Sequence, residues 1–89
     1  MKTLHLIFNQ VGLKSCERLK ASEDQVILMG DGVYQFQSDL AGFDPKGLFI
    51  LEDDYLARGL PPNEAINLIS YTQMVDLCAK CAPIVSWHA

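Results

Sequence analysis

The sequence lacks the features of a secreted, membrane or nucleic-acid-binding protein. Its 89 residues hold 7 Lys and Arg against 11 Asp and Glu, so there is no basic stripe for a phosphate backbone. The apolar run at residues 4–8 is interrupted by His5 and is too short for a signal peptide or a membrane span. Three cysteines cannot all pair within one chain, which favours a reducing compartment. We therefore expect a cytoplasmic protein that contacts neither membrane nor nucleic acid directly.

Common enzyme signatures are also missing. The sequence contains no P-loop, no G-x-G-x-x-G and no nucleophile elbow, and its Cys and His residues lack the paired spacing of a zinc site. We expect no cofactor and no metal. A chain this short builds only a thin core, yet its apolar share lies slightly above the ordinary range. Some apolar side chains are therefore expected to be covered by a partner subunit.

Two unbroken apolar runs, residues 26–29 and 48–51, organise the predicted fold. Runs without polar alternation indicate strands buried on both faces. The first run ends at the Gly-Asp-Gly turn 30–32 and the second at the acidic triplet 52–54. Ligands of open parallel sheets gather beyond such carboxyl ends. A first strand is predicted at residues 3–8, a weaker one at residues 65–69 because of Asn67, and a short edge strand at residues 84–87.

Short helical segments alternate with these strands. Apolar residues recur every three positions over residues 13–20, and Ser70 with Gln73 has the spacing of a capping box. The helix that follows Ser70 is predicted to present one apolar stripe, made of Tyr71, Met74, Val75 and Cys78. Brief helices are predicted at residues 33–36 and 52–58, the second with the acidic triplet at its start and Arg58 before a terminal Gly59. The alternation predicts a small single-domain α/β fold over residues 1–89, with a parallel sheet of about four to five strands flanked by short helices.

Cys16 is the candidate reactive thiol. Lys14, Arg18 and Lys20 are near it in sequence, and a cation that approaches the sulfur would lower its pKa. The alternative is that Cys16 serves as a small buried hydrophobe. The C-x-x-C at residues 78–81 falls at the far end of a helix, where the dipole opposes a thiolate, so a structural role is expected there.

Other polar residues have ordinary structural explanations. His5 alternates with leucines in the first strand, and we expect it to be packed or hydrogen-bonded. The triplet 52–54 has a counterpart in phosphorylatable receiver domains, but those also need an acidic pair after the first strand, where this chain has Asn9 and Gln10. A ligand site near Asp31 rests on fold analogy alone.

Six short segments, in order along nearly the whole chain, share the pattern of one known family. They are Leu4-His5, Ser15-Cys16-Glu17-Arg18-Leu19, residues 26–34, Asp54-Tyr55-Leu56-Ala57-Arg58-Gly59, residues 69–77, and Trp87. Each is weak alone, but the ordered set is fairly specific. It resembles the DsrH/TusB family of sulfur-relay subunits, within the DsrE/F/H-like proteins.

The resemblance implies a subunit that joins DsrE/TusD-like and DsrF/TusC-like subunits in a heterohexamer. Such a complex passes persulfide sulfur from an upstream donor to a downstream sulfur-carrier protein, either for tRNA wobble 2-thiouridine or for dissimilatory sulfur oxidation. The main acceptor cysteine of the family belongs to the DsrE/TusD-like partner. Cys16 matches a first-helix cysteine of DsrH-type members, which makes it the candidate persulfide carrier of this chain.

Two roles remain open within that resemblance. In the first, Cys16 carries sulfur; in the second, the chain is a structural subunit without thiol chemistry of its own. The structural role would use the apolar surplus and the side chains of Tyr55, Arg58 and Trp87 at interfaces, where aromatic and Arg residues are enriched. The isolated chain is also a candidate homo-oligomer. The loop between Phe36 and Leu48 is short for the family, so partner contacts there are expected to differ.

Overall fold

The computed structural model describes residues 3–21, 23–37, 45–61 and 66–87. The strands are β1 (Leu4–Ile7), β2 (Gln25–Leu28), β3 (Leu48–Leu51), β4 (Leu68–Ile69) and β5 (Ile84–Trp87). The α-helices are α1 (Gln10–Leu19), α2 (Glu52–Ala57) and α3 (Tyr71–Lys80). Two 3-10 helices, Gly30–Gln37 and Pro45–Gly47, lie between β2 and β3. No helix within these ranges is both long and apolar enough to cross a bilayer.

The five strands form one parallel sheet in the order β4-β3-β2-β1-β5. This confirms the predicted α/β fold with a parallel sheet. The first four strands are added in one direction, and the chain then returns to place β5 on the other side of β1. The point where the strand order reverses therefore lies between β1 and β5, the position at which such sheets commonly form a crevice.

Alternating side chains of the strands feed two separate cores. On the first face of the sheet, α1, α2 and the 3-10 helix Gly30–Gln37 cover a cluster made of Ile7, Leu13, Cys16, Val26, Leu28, Val33, Ile50 and Tyr55. On the second face, α3 covers a cluster made of Leu4, Ile27, Leu51, Ile69, Met74 and Cys81. The names first face and second face are used below in this sense.

Helix α1 begins three residues before its predicted start. The reason is Asn9, whose side-chain oxygen accepts the Gly12 N–H at 2.7 Å and caps the helix. Gly12 lies inside α1 and faces the backbone of β5. A Cβ at this position would overlap the carbonyl oxygen of Trp87, so only glycine permits this close approach of helix and strand.

Helix α3 has the predicted capping box. The Ser70 hydroxyl accepts the Gln73 N–H at 3.1 Å, and the Gln73 side chain accepts the Ser70 N–H at 2.8 Å. The predicted apolar stripe is partly wrong, because Tyr71 and Val75 are 60% and 47% exposed. Met74 and Cys78 do pack on the sheet, together with Leu77 and Cys81.

Two further elements differ from the prediction, and one agrees with it. The Gly-Asp-Gly turn and the helix predicted at 33–36 form one 3-10 helix, Gly30–Gln37. Helix α2 begins at Glu52 as predicted, and the acidic triplet occupies its first turn, where the helix dipole favours carboxylates. Strand β4 has only two residues, Leu68–Ile69, and residue 65 of its predicted range lies outside the described residues. Residues 38–44 of the predicted loop also lie outside them.

Candidate functional site

The Cys16 thiol is enclosed by the core of the first face. Helix α1 turns this residue toward the sheet, and its exposed fraction is 0%. Burial raises the pKa of the Cys16 thiol to about 12; the Asp24 and Glu17 charges add to the rise and the Lys20 charge opposes it. At neutral pH only about one thiol in 10⁵ is then ionised. In this conformation Cys16 is neither accessible nor nucleophilic.

The three cations predicted to activate Cys16 differ in position. Lys20 is the one among them whose charge lowers the pKa of the thiol, and its N–H donates to the Cys16 carbonyl oxygen at 2.9 Å. Lys14 and Arg18 are exposed on the outer side of α1. The helical period therefore separates these two residues from the sulfur although they are close to it in sequence.

The other two cysteines lie at the end of α3. Cys81 is buried and caps the helix through its N–H, which donates to the Leu77 carbonyl oxygen at 3.0 Å. Cys78 is half-buried against the same core. Within the described residues, no group of three His, Cys, Asp or Glu side chains could hold a metal ion.

A buried hydrogen-bond network joins His5, Asp24 and Trp87 on the first face. The Trp87 indole N–H donates to His5 Nδ1 at 2.8 Å, and His5 Nε2 lies 2.8 Å from Asp24 Oδ2. Because an indole can only donate, Nδ1 must be the unprotonated nitrogen of the ring. The His5 proton is therefore on Nε2 and is donated to the Asp24 carboxylate. The imidazole, 4% exposed, also stacks on the indole at 6.0 Å between ring centroids.

The Asp24 carboxylate links this hydrogen-bond network to the backbone. It accepts the Thr3 N–H at 3.2 Å and the Ala21 N–H at 3.0 Å, in addition to the proton of His5. Burial alone would raise the pKa of Asp24, but the hydrogen bonds from these donors outweigh it and hold that pKa below its ordinary value. The structure thus confirms that His5 is hydrogen-bonded. Sequence reasoning missed its partners, which are 19 and 82 residues away.

A second polar cluster binds the carboxyl ends of β2 and β3 to each other. The Arg58 guanidinium contacts Asp31 Oδ1 through Nε and Nη2 at 3.1 and 3.0 Å, and donates to the Asp54 carbonyl oxygen at 3.2 Å. The Gly30 N–H donates to Asp54 Oδ2 at 2.7 Å. The Arg58 guanidinium carbon also lies 6.0 Å from the centre of the Tyr34 ring. Asp31 and Asp54 therefore have structural partners here.

The three predicted interface residues occupy different environments. Tyr55 has no exposed surface; its hydroxyl donates to the Pro61 carbonyl oxygen and its ring meets Phe36 edge-on at 5.3 Å. An interface role for the Tyr55 ring is not supported by this position, because α2 turns the ring into its own core. Arg58 and Trp87 are half-buried, and their interface roles stay predictions.

A groove on the second face was not anticipated from the sequence. It has a volume of about 240 Å³ and lies between α3 and strands β3 and β4. Its lining consists of Phe49, Ile69, Gln73, Asp76, Leu77 and Lys80. Apolar strand residues form the floor and polar residues of α3 form the rim. The lining lacks a cysteine, so the groove is not a thiol site.

The fold and these sites define a small parallel α/β protein with an enclosed thiol and a buried hydrogen-bond network on the first face of its sheet. A protein-family profile described as "DsrH like protein" matches residues 7–83. The chain belongs to this DsrH-like family, as the ordered motifs predicted. It is 39% identical over 82 residues to Protein TusB of Yersinia pestis (strain Pestoides F) and of Yersinia pseudotuberculosis (serotype O:1b, strain IP 31758). The similarity covers 84% of this chain and 86% of each relative.

A solved structure shares the fold. The solution NMR structure of protein Tm0979 from Thermotoga maritima matches with a TM-score of 0.58 and 24% identity, over 84% of this chain and 92% of that one. At this level of identity the match supports the architecture alone.

Proposed function

We propose that this chain is a structural subunit of an intracellular sulfur-relay complex, in which the transferred sulfur is carried by a cysteine of a partner subunit. Membership of the DsrH-like family and similarity to TusB proteins support the general role. The burial of Cys16 is the observation that supports the structural role over a carrier role. Sulfur transfer requires an accessible thiolate, and this thiol is enclosed with a raised pKa.

The proposed partners are a DsrE/TusD-like and a DsrF/TusC-like subunit in a heterohexamer, with a downstream sulfur-carrier protein as recipient. The pathway would be tRNA wobble 2-thiouridine synthesis or dissimilatory sulfur oxidation, in the cytoplasm. Large apolar side chains that are 46–72% exposed support a role in assembly: Val11, Leu19, Tyr34, Leu56, Tyr71, Val75 and Ile84. Such side chains contribute most to stability when a partner covers them.

The second candidate function makes Cys16 itself the persulfide carrier. Its thiolate would attack the outer sulfur of a donor persulfide, forming a persulfide on Cys16 and releasing the donor thiolate. The Lys20 charge favours this reaction, because it lowers the pKa of the thiol. The reaction would also require α1 to move away from the sheet, so that the sulfur meets the donor.

Mapping of the added sulfur distinguishes the two roles. We would expose the chain, alone and co-expressed with DsrE-like and DsrF-like partners, to polysulfide or to a cysteine desulfurase with cysteine, and locate the added sulfur by peptide mass spectrometry. Wild type and Cys16→Ala would be compared, because alanine fits a buried apolar site without introducing an unpaired hydroxyl. We expect sulfur on a partner cysteine and full relay activity of the complex that contains Cys16→Ala.

The contrary result is equally clear. Sulfur found on Cys16 in the assembled complex, with loss of relay in Cys16→Ala and unchanged complex size, would make this chain a carrier. Cys78→Ala is the matched control, since it removes a half-buried thiol at the opposite face of the sheet.

A further inference from the structure

The edge strand β5 is attached to the sheet by few contacts. Among the strands that the structure describes, it pairs with β1 alone, and none of its four residues is fully buried. Its attachment therefore depends on the backbone ladder to β1 and on the side chains that reach across it. The largest of these side chains is Trp87, whose indole bonds to the imidazole of His5 and stacks on it.

The hydrogen bond between Trp87 and His5 requires one protonation state of the imidazole. The indole N–H can only donate, and it meets His5 Nδ1 at 2.8 Å, so this nitrogen must keep its lone pair. A protonated imidazole has an N–H on both nitrogens. Two N–H groups would then face each other at this distance, and neither would have an acceptor. Protonation of His5 therefore breaks the side-chain hydrogen bond that joins Trp87 to β1.

The Asp24 carboxylate does not cancel this effect. It lies 2.8 Å from His5 Nε2 and attracts a protonated imidazole. However, Asp24 precedes β2 and is bonded to Thr3 and His5 at the start of β1, so its contact with His5 does not involve β5. The attraction is present whether β5 is docked or not. The difference in proton binding between the docked and undocked states therefore arises from Trp87, which belongs to the strand that moves.

The other ionisable groups around His5 keep their charge state between about pH 5 and pH 7, where a histidine ordinarily titrates. Asp24 has a lowered pKa and stays ionised, and Cys16, with a pKa of about 12, stays neutral. Neither β2 nor β5 has an ionisable side chain. The charged residues of α1 and of the turn before β2, apart from Asp24, lie on the outer side of the protein or at the C-terminal cap of α1: Lys14, Glu17, Arg18, Lys20 and Glu23.

We propose that protonation of His5 releases the edge strand β5 from β1, so that the docking of this strand depends on pH. The undocked state binds one proton more than the docked state. A fall in pH therefore shifts the equilibrium toward the undocked strand, and a rise in pH restores docking. Because linkage is reciprocal, any contact that holds β5 against β1 also keeps His5 neutral. This inference goes beyond the sulfur-relay role and does not depend on it.

Hydrogen exchange of the backbone amides tests the proposal, because the amides of β5 exchange when the strand undocks. Peptides covering residues 84–87 and 48–51 would be followed by mass spectrometry at about pH 7 and about pH 5, with rates corrected for the intrinsic pH dependence of amide exchange. The protection of residues 84–87 should fall on the order of 10-fold, as linkage to one histidine that titrates near pH 6.5 implies. The protection of residues 48–51, inside the sheet, should stay within about 2-fold.

Three variants separate the His5–Trp87 contact from other causes. Trp87→Phe keeps a stacking ring but lacks the N–H, so residues 84–87 should be less protected at pH 7 and should lose their pH dependence. His5→Gln has an amide in place of the titrating ring and should also lose it. His88→Gln is the matched control, since it removes the other of the two histidines and should behave as wild type. Circular dichroism checks that each variant is folded.

Nitrogen NMR of the imidazole ring gives a second measurement that needs no variant. His5 Nδ1 should be unprotonated at neutral pH, and the single indole N–H resonance should shift as His5 takes up its proton. Protection of residues 84–87 that stays unchanged between pH 7 and pH 5 would overturn the proposal, because the imidazolium would then be held by stacking on the indole. So would a pH dependence that persists in Trp87→Phe or disappears in His88→Gln.

Discussion

The two faces of the sheet are completed in different ways. On the first face the chain closes on itself so tightly that Gly12 has no room for a side chain beside Trp87, and the polar His5 has both ring nitrogens bonded. On the second face a single helix leaves Ile84 and Val75 nearly half exposed. The chain therefore encloses the Cys16 thiol and the buried polar network within the first face and leaves these two apolar side chains partly exposed on the second.

The largest expected effect compares the two cores directly. Tyr55→Ala on the first face should cost about 4 kcal/mol of unfolding free energy, because it empties a fully enclosed site and leaves the Pro61 carbonyl without its donor. Met74→Ala on the second face should cost about 2 kcal/mol, since Met74 is already 8% exposed and neighbouring side chains can move into the space. Urea unfolding at low protein concentration measures both. Equal losses of unfolding free energy would contradict the view that the core of the first face is more completely enclosed than that of the second.

A smaller effect concerns the pH dependence of the first face. The folded pKa of Asp24 is lower than its unfolded value of 3.8, so its carboxylate stabilises the fold above that pH and ceases to do so as pH falls through the folded pKa. Asp24→Asn should cost about 1.5–3 kcal/mol near neutral pH, because hydrogen bonds to a charged acceptor are lost. The gap between variant and wild type should begin to narrow below about pH 4 and should close as the pH falls through the folded pKa of Asp24.

The control for this prediction is Glu17→Gln, which removes a carboxylate from the exposed side of α1. Its unfolding free energy should stay within about 0.5 kcal/mol of wild type across the same pH range. A gap between Asp24→Asn and wild type that does not narrow at all between about pH 4 and pH 3 would mean that shape, rather than charge, accounts for the effect.

The smallest expected effect concerns the ion pair of Asp31 and Arg58 at the carboxyl ends of β2 and β3. Asp31 is 76% exposed at its side chain, so its ion pair with Arg58 is worth little. Asp31→Asn should cost less than about 0.5 kcal/mol and Arg58→Ala about 1 kcal/mol, since Arg58 also donates to the Asp54 carbonyl oxygen. Urea unfolding with and without added salt measures both. A loss of several kcal/mol on Asp31→Asn would show that this edge is more rigid than its exposure implies.

Local sequence patterns were enough to predict the elements whose positions depend on local interactions. The unbroken apolar runs at residues 26–29 and 48–51 located β2 and β3 to within one residue. The capping box at Ser70 located the start of α3, because its two hydrogen bonds join residues only three apart. The predicted start of α1 lies three residues too far along the chain, because an asparagine such as Asn9 is equally common after a strand and as a helix cap.

Long-range contacts could not be read in the same way. The partners of His5 lie 19 and 82 residues away and meet it only after three parallel strands are aligned. Tyr55 belongs to a residue type that is enriched at interfaces, yet its side chain is fully buried in the core of the first face. Val75 fits an apolar stripe at helical spacing, but spacing alone does not tell which flank of a helix the sheet covers.

Trp87 is the single tryptophan of the chain, and it connects the last strand to the first. Its indole ring donates to His5 and stacks on it, so its fluorescence depends on whether β5 is docked against β1. Detachment of that strand would expose the ring to water and shift its emission to longer wavelength. The protein thus contains a built-in optical reporter for the closing step of its own folding, and no added label is needed to follow it.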